Sequence, residues 1–257
     1  MSRLTVSERI VEDYLSAQGI PFERIPKSQL PTPDYKLSAN PESVIAEVKE
    51  FGRSRKLRQG GYCSVPFVRA KIKACWKQFE HYGDRSCCLM LYNEGSTTVF
   101  LQPELILCAM FGEYFQRLGS PWYRFSGIAA IRPDRNTRVS AIAAFLPLRV
   151  HRNCIEAGRQ VFRLTEGFSR DLSEDERLQI HRETSQYLGQ VESVMRAVVV
   201  ENPFASKQLP QSIFSGPFDE RWARLEDDSV RLKFSGSRIA EMRALLPEYA
   251  LKMMGLW

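Results

Sequence analysis

The sequence lacks the features that define several large protein classes. Its 257 residues contain no apolar stretch of the roughly 18 residues that a membrane-spanning helix requires, so we expect no membrane partner. The pattern of the opening segment, MSRLTVSERIVEDYL, predicts an amphipathic helix with acidic side chains. The segment lacks the apolar stretch of a signal peptide. We therefore expect a cytoplasmic protein.

Cysteine and histidine motifs for metal binding are missing as well. The six cysteines form no C-x-x-C pair, and the three histidines, His81, His151 and His181, are isolated from one another. This spacing excludes the usual zinc modules. In a chain of this length without a signal peptide, we expect reduced and mostly buried cysteines.

The sequence contains somewhat fewer acidic than basic residues. Lys and Arg number 36 against 30 Asp and Glu, which gives a formal net charge of +6. This excess favours a polyanionic partner only weakly, because many basic proteins bind no nucleic acid. The length suits one large domain or two small ones. We predict a core over residues 1–150 and a C-terminal α+β region over 151–257, packed on that core.

Hydrophobic periodicity predicts the order helix, three strands, helix, strand in the N-terminal third. The predicted elements are a helix over 5–18, strands over 22–25, 34–38 and 43–51, a helix over 67–82 and a strand over 87–92. Farther along we predict a strand over 97–101, a helix over 103–115, two strands within 126–148, a helix over 173–188, a strand over 195–204, and helices over 219–226 and 237–254.

Three charged residues stand out within two otherwise apolar strands. Asp34 opens one strand, and Glu47 and Lys49 share one face near the end of the next. Charged side chains are seldom buried without a partner. Carboxylates suit Mg²⁺, which usually takes one or two of them with water and substrate phosphate. A lysine beside them can activate the attacking water and offset transition-state charge.

These residues, in this order of elements, resemble the PD-(D/E)xK nuclease superfamily. The matching pieces are Pro33-Asp34 and Glu47-Val48-Lys49. The resemblance implies that Asp34 and Glu47 bind the metal, that Lys49 serves the attack step, and that Glu8 on the first helix adds an acid, with Glu12 as a second choice. Members of the RecB-like and Cas4-like groups carry Q-x-x-x-Y, which Gln78 and Tyr82 match here. We also expect the Val48 carbonyl to be available as a metal ligand.

The resemblance implies a fold, an activity and a cofactor. The fold would be α/β, with a restriction-endonuclease-like mixed sheet (αβββαβ) flanked by helices and a C-terminal α+β extension. The activity would be hydrolysis of phosphodiester bonds with Mg²⁺ or Mn²⁺, with DNA favoured over RNA as the partner. Many such nucleases act as homodimers or within larger complexes. The scattered cysteines do not match those of Cas4-like members, so we expect no iron–sulfur cluster.

A basic segment follows the E-x-K strand. We predict that it binds nucleic-acid phosphates through Arg53, Arg55, Lys56, Arg58, Arg69 and Lys73, with Lys71 and Lys77 in the same segment and Tyr82 nearby. The structural alternative is a solvated loop and a solvated helix face. Two other functions also stay open: a catalytically inactive relative that binds nucleic acid or protein, and an interaction protein that acts through its C-terminal region.

Overall fold

The computed structural model describes residues 4–51, 64–93, 101–116, 123–164, 173–185 and 189–246. They form a mixed α/β structure built on one eight-stranded sheet. The helices are α1 (Val6–Ala17), α2 (Ser64–Cys75), α3 (Pro103–Phe111), α4 (Cys154–Leu164), α5 (Glu174–Ser185) and α6 (Ser237–Leu245). Within these ranges, no helix has both the length and the apolar character to cross a membrane.

The sheet mixes parallel and antiparallel neighbours. Its strands are β1 (Phe22–Arg24), β2 (Tyr35–Ala39), β3 (Glu42–Phe51), β4 (Ser86–Asn93), β7 (Val139–His151), β8 (Val191–Glu201), β9 (Glu220–Arg224) and β10 (Val230–Ser235), and they lie in that order across the sheet. The pairs β3–β4, β4–β7 and β8–β9 are parallel, and the others are antiparallel. A separate antiparallel pair comprises β5 (Glu113–Gln116) and β6 (Tyr123–Ser126).

The predicted order of the first six elements is confirmed. The helix α1 precedes the antiparallel strands β1, β2 and β3, and the connection that contains α2 leads to β4, parallel to β3. Parallel neighbours need such a crossover connection, which is usually helical. The strand β4 is buried throughout Ser86–Leu91, as expected for a central strand with both faces covered.

Alternate residues of β3 face two different hydrophobic clusters. Val44, Ala46 and Val48 share a cluster with apolar residues of α1, whereas Ile45 and Phe51 share one with apolar residues of α2 and α3. Side chains alternate between the faces of a strand. Glu47 and Lys49 therefore belong to the α2 face of β3.

The sheet continues into the C-terminal part of the chain. The strand β7 spans residue 150, where we placed the boundary between the core and the C-terminal region, and β8, β9 and β10 extend the same sheet. Arg196 on β8 and Glu220 on β9 form a buried ion pair at 2.8 Å. Arg221 and Glu201 form another, at 3.1 Å.

Three elements predicted after β4 differ in the structure. Residues 219–226, predicted as a helix, contain strand β9, because tertiary pairing outweighs their helix propensity. The first predicted strand within 126–148 is not formed over 128–131, where Ala130 and Ile131 donate to the carbonyls of Ala109 and Met110 at the end of α3. The helix predicted over 103–115 ends at Phe111, because Gly112 adopts φ 106°, and β5 follows.

The helix predicted over 67–82 is also shorter than expected. It ends at Cys75, and residues 76–81 form turns in which Tyr82 donates its N–H to the Phe79 carbonyl at 3.0 Å. Gln78 and Tyr82 consequently do not share a helical face. Three further predictions reach past the described residues: most of the strand over 97–101, the end of the helix over 173–188 beyond residue 185, and the end of the helix over 237–254 beyond residue 246.

Candidate metal and phosphate site

A cleft of about 340 Å³ opens beside the second half of β3. It is lined by Thr5, Glu8, Lys27, Ser28, Leu30, Thr32, Asp34, Glu47, Val48, Lys49 and Gln78. The segments that line it come from the start of α1, the loop between β1 and β2, strand β3 and the turn after α2. Six residues that the sequence singled out thus meet in one cleft.

Asp34 is fixed at the point where strand β2 begins. Its backbone N–H donates to the Ala46 carbonyl at 3.1 Å, and its own carbonyl accepts from Ile25 at 2.9 Å. One carboxylate oxygen, Oδ2, accepts the Val48 N–H at 2.9 Å. The side chain of Asp34 therefore takes the place of a backbone acceptor where the β2–β3 ladder ends. This geometry anchors its carboxylate in the cleft.

Glu47 is a buried acid with one oxygen unsatisfied. The residue is 3 % exposed, and its Oε1 accepts a hydrogen bond from the Lys49 ammonium. Among the described residues, its Oε2 has no hydrogen-bond partner. Burial, and then the negative charge of nearby Asp34, raise the pKa of Glu47 to about 7 against the opposing effect of Lys49. A buried carboxylate oxygen without a donor is costly unless a cation or water satisfies it.

Gln78 contacts Lys49 from the turn after α2. The side-chain amide of Gln78 is assigned in the orientation that gives both its oxygen and its nitrogen a hydrogen-bond partner. The oxygen then accepts from Lys49 Nζ at 3.2 Å, and the nitrogen donates to the Cys75 carbonyl at 3.2 Å. The Lys49 ammonium is thereby held between Glu47 and Gln78. The end of α2 thus restrains the lysine side chain, whose burial is only partial.

The carboxylates of Asp34 and Glu47 fit a hard divalent cation. Mg²⁺ commonly takes one or two protein carboxylates and completes its shell with water and phosphate oxygens. The unsatisfied Glu47 Oε2 is the kind of atom that such an ion would satisfy. Within the described residues, no group of three or more His, Cys, Asp or Glu side chains has a metal-binding arrangement. Asp34 and Glu47, whose carboxylates are close enough for the charge of one to raise the pKa of the other, are therefore the pair that we consider as cation ligands, and Glu8 and Val48 also line the cleft.

The two acids of α1 have different surroundings. Glu8 lines the cleft, but it also closes a capping box, because its Oε2 accepts the Thr5 N–H at 2.6 Å. Glu12 accepts from Arg24 at 2.7 Å and from the Tyr35 hydroxyl at 2.9 Å, and Arg24 holds the pKa of that carboxyl below its usual value. Glu12 is thus engaged with β1 and β2.

The residues predicted to bind nucleic acid are placed in several environments. Arg53, Arg55, Lys56 and Arg58 lie outside the described residues. Arg69 donates to the Cys108 carbonyl of α3 at 3.2 Å, and Tyr82 packs against the hydrophobic cluster on the α2 face. Lys73 is exposed on α2 and does not line the cleft.

The sequence interpretation missed the β1–β2 loop. Lys27, Ser28, Leu30 and Thr32 line the cleft, and the loop is closed at its base by the Ile25–Asp34 backbone bond. The signal was present in the sequence: a short connection that ends at the proposed metal ligand must lie beside it. Lys27 is the only residue of this group that carries a charge.

Comparisons with family models, curated protein sequences and solved structures give no match for this chain. The functional argument therefore depends on the residues and geometry of the cleft.

Proposed function

We propose that this protein is a metal-dependent nuclease with a restriction-endonuclease-like core, and that DNA is its substrate. The observation that carries the proposal is the meeting of Asp34, Glu47 and Lys49 in one cleft, on the strand order that places β3 between β2 and β4. Their spacing in the sequence resembles the PD-(D/E)xK pattern. The order α1–β1–β2–β3–α2–β4 is the framework expected around that pattern.

In this proposal Asp34 and Glu47 hold Mg²⁺ or Mn²⁺. When bound, such an ion lowers the pKa of water and polarises a phosphate. Asp34 is preorganised for binding by the Val48 N–H, and Glu47 presents an oxygen with no other partner among the described residues. Burial of Glu47 strengthens its attraction for a cation, because the effective dielectric constant is low there.

Lys49 acts on the phosphate that approaches the two carboxylates. Its ammonium group is positioned by Glu47 and Gln78, so little reorganisation is needed when negative charge develops on the reacting phosphate. It donates to the attacking water or to a phosphate oxygen. Gln78 is a positioning residue, since it contacts Lys49 and the backbone at the end of α2.

The test is incubation of the purified chain with labelled single-stranded, double-stranded and branched DNA and with single-stranded RNA. We expect cleavage of at least one DNA with Mg²⁺ or Mn²⁺, and none with EDTA. An RNA-only product would overturn the substrate assignment. Metal-dependent binding without any cleavage would instead favour the inactive nucleic-acid-binding alternative.

A further inference from the structure

The β1–β2 loop contributes an additional cationic group to the cleft. Lys27 and Lys49 both line it, but they come from different elements. Lys49 pairs with Glu47, whereas Lys27 is exposed and has no ion pair or hydrogen bond to its ammonium among the described residues. Lys27 is thus the cleft lysine whose charge is available for an external anion.

Hydroxyl contacts give this loop a defined shape. The Ser28 and Thr32 hydroxyls lie 2.8 Å apart, the Leu30 N–H donates to Ser28 Oγ at 3.2 Å, and the Thr32 hydroxyl donates to the Leu30 carbonyl at 2.8 Å. Local hydroxyl-to-backbone bonds of this kind stabilise turns. The base of the loop is closed by the hydrogen bond from the Ile25 N–H to the Asp34 carbonyl. Lys27 is therefore held in the same cleft as the carboxylates of Asp34 and Glu47.

We infer that the β1–β2 loop is a second phosphate subsite, in which Lys27 binds a phosphate of the nucleic-acid strand adjacent to the scissile one. This inference rests on the proposed function and specifies the substrate as a strand with at least two phosphates. The cleft volume of about 340 Å³ is larger than the volume of one phosphate group, so the cleft has room for a neighbouring nucleotide. Lys27 contributes to binding and not to the bond-breaking step, which belongs to Lys49 and the carboxylates.

The inference is tested by comparing a short strand with a substrate that has a single phosphate. The Lys27→Ala protein should show a KM about 5–10-fold higher for a single-stranded decadeoxynucleotide, at a kcat within twofold of wild type, because one phosphate contact is lost. Its activity on bis(p-nitrophenyl) phosphate should be unchanged, since that diester has no second phosphate. Lys27→Arg should restore the KM.

Lys36→Ala is the matched control. Lys36 is a lysine of the neighbouring strand β2 that lies outside the cleft lining and pairs with Glu23 at 3.6 Å. We expect wild-type constants on both substrates. Equal losses on both substrates for Lys27→Ala, or no loss on either, would overturn the subsite.

A binding measurement separates this inference from the proposed function. Affinity for the same fluorescein-labelled decadeoxynucleotide is measured with Ca²⁺ in place of Mg²⁺, over a range of salt concentrations and without regard to cleavage. Lys27→Ala should weaken binding and lower the salt slope by about 0.7, the value for one phosphate on a single strand. A wild-type affinity and slope would refute the subsite, whereas a lowered slope without any cleavage by wild-type protein would refute only the nuclease.

Discussion

The Asp34 carboxylate accepts the Val48 N–H at 2.9 Å, at the point where β2 stops pairing with β3. The same side chain thus ends a backbone ladder and supplies a carboxylate to the cleft. An asparagine would keep an oxygen in this position but would remove the charge. The structural role of residue 34 and its proposed metal binding can therefore be separated by substitution.

We expect Asp34→Asn to fold with near wild-type stability and to lose Mn²⁺ binding. Asp34→Ala should also lose Mn²⁺ binding. Its free energy of unfolding should in addition be lower by about 1–2 kcal/mol, because the Val48 N–H is left without its acceptor. Urea denaturation and calorimetric Mn²⁺ titration measure the two properties. Equal stability of the Asn and Ala proteins would show that the Asp34–Val48 bond contributes nothing, and retained Mn²⁺ affinity in Asp34→Asn would remove Asp34 from the metal site.

The raised pKa of Glu47 predicts a pH dependence in the absence of metal. The folded protein holds this proton to about pH 7, whereas the unfolded chain releases it near pH 4.5, so the folded state loses stability relative to the unfolded state as pH rises from about 4.5 to 7. The stability of wild-type protein in EDTA should therefore fall over this range relative to Glu47→Gln, which has no charge to bury.

Saturating Mn²⁺ at pH 7.5 should make wild-type protein more stable than Glu47→Gln, since the ion stabilises only the protein that binds it. Thermal unfolding of both proteins at several pH values, in EDTA and in Mn²⁺, measures the effect. Glu42→Gln, at the exposed start of the same strand, is the control and should follow wild type. A wild-type protein that gains stability relative to Glu47→Gln between pH 5 and 7 in EDTA would contradict the burial of an ionisable Glu47.

Lys49→Ala should slow cleavage much more than it weakens DNA binding. Its charge matters most as negative charge builds in the transition state, and removal of one preorganised group of this kind typically costs about 10²–10³ in rate. Single-turnover cleavage beside a binding assay separates the two effects, and Lys36→Ala should behave as wild type in both. Cleavage by Lys49→Ala at the wild-type rate would exclude Lys49 from the mechanism.

The basic segment after β3 remains a prediction from sequence. Replacing Arg53, Arg55 and Lys56 with alanine should weaken DNA binding and flatten its salt dependence, because fewer counterions are released. Mn²⁺ affinity should not change. The control replaces three exposed arginines of β7, α4 and β10: Arg149, Arg163 and Arg231. If both triple variants bind DNA with the same affinity and salt slope, the segment has no specific role.

Local pattern was sufficient for the type and order of the first six elements of the fold. Apolar alternation identified β2 and β3, and the continuous apolar run identified the buried strand β4. The pattern failed where long-range pairing decides the outcome. Residues 219–226 contain good helix formers, but Glu220 and Arg221 lie in strand β9, where their ion pairs with Arg196 and Glu201 accompany pairing with β8.

For the candidate site, chain spacing was informative only within neighbouring strands. The register of β2 against β3, with Tyr35 opposite Ala46, brings Asp34 to the level of Glu47. Lys27 was missed because no periodic pattern describes a loop. Tyr82 was grouped with Gln78 because a continuous helix was assumed, whereas the helix ends at Cys75 and Tyr82 packs against the core.

The central claim is that Asp34 and Glu47 bind the metal ion that DNA cleavage requires. The most direct measurement is single-turnover cleavage of end-labelled single-stranded, double-stranded and branched DNA by wild-type and Glu47→Gln proteins in parallel, with Mg²⁺ or with EDTA. The account predicts product only from wild-type protein with Mg²⁺, although both proteins are folded by circular dichroism. Equal Mg²⁺-dependent cleavage by Glu47→Gln would contradict it.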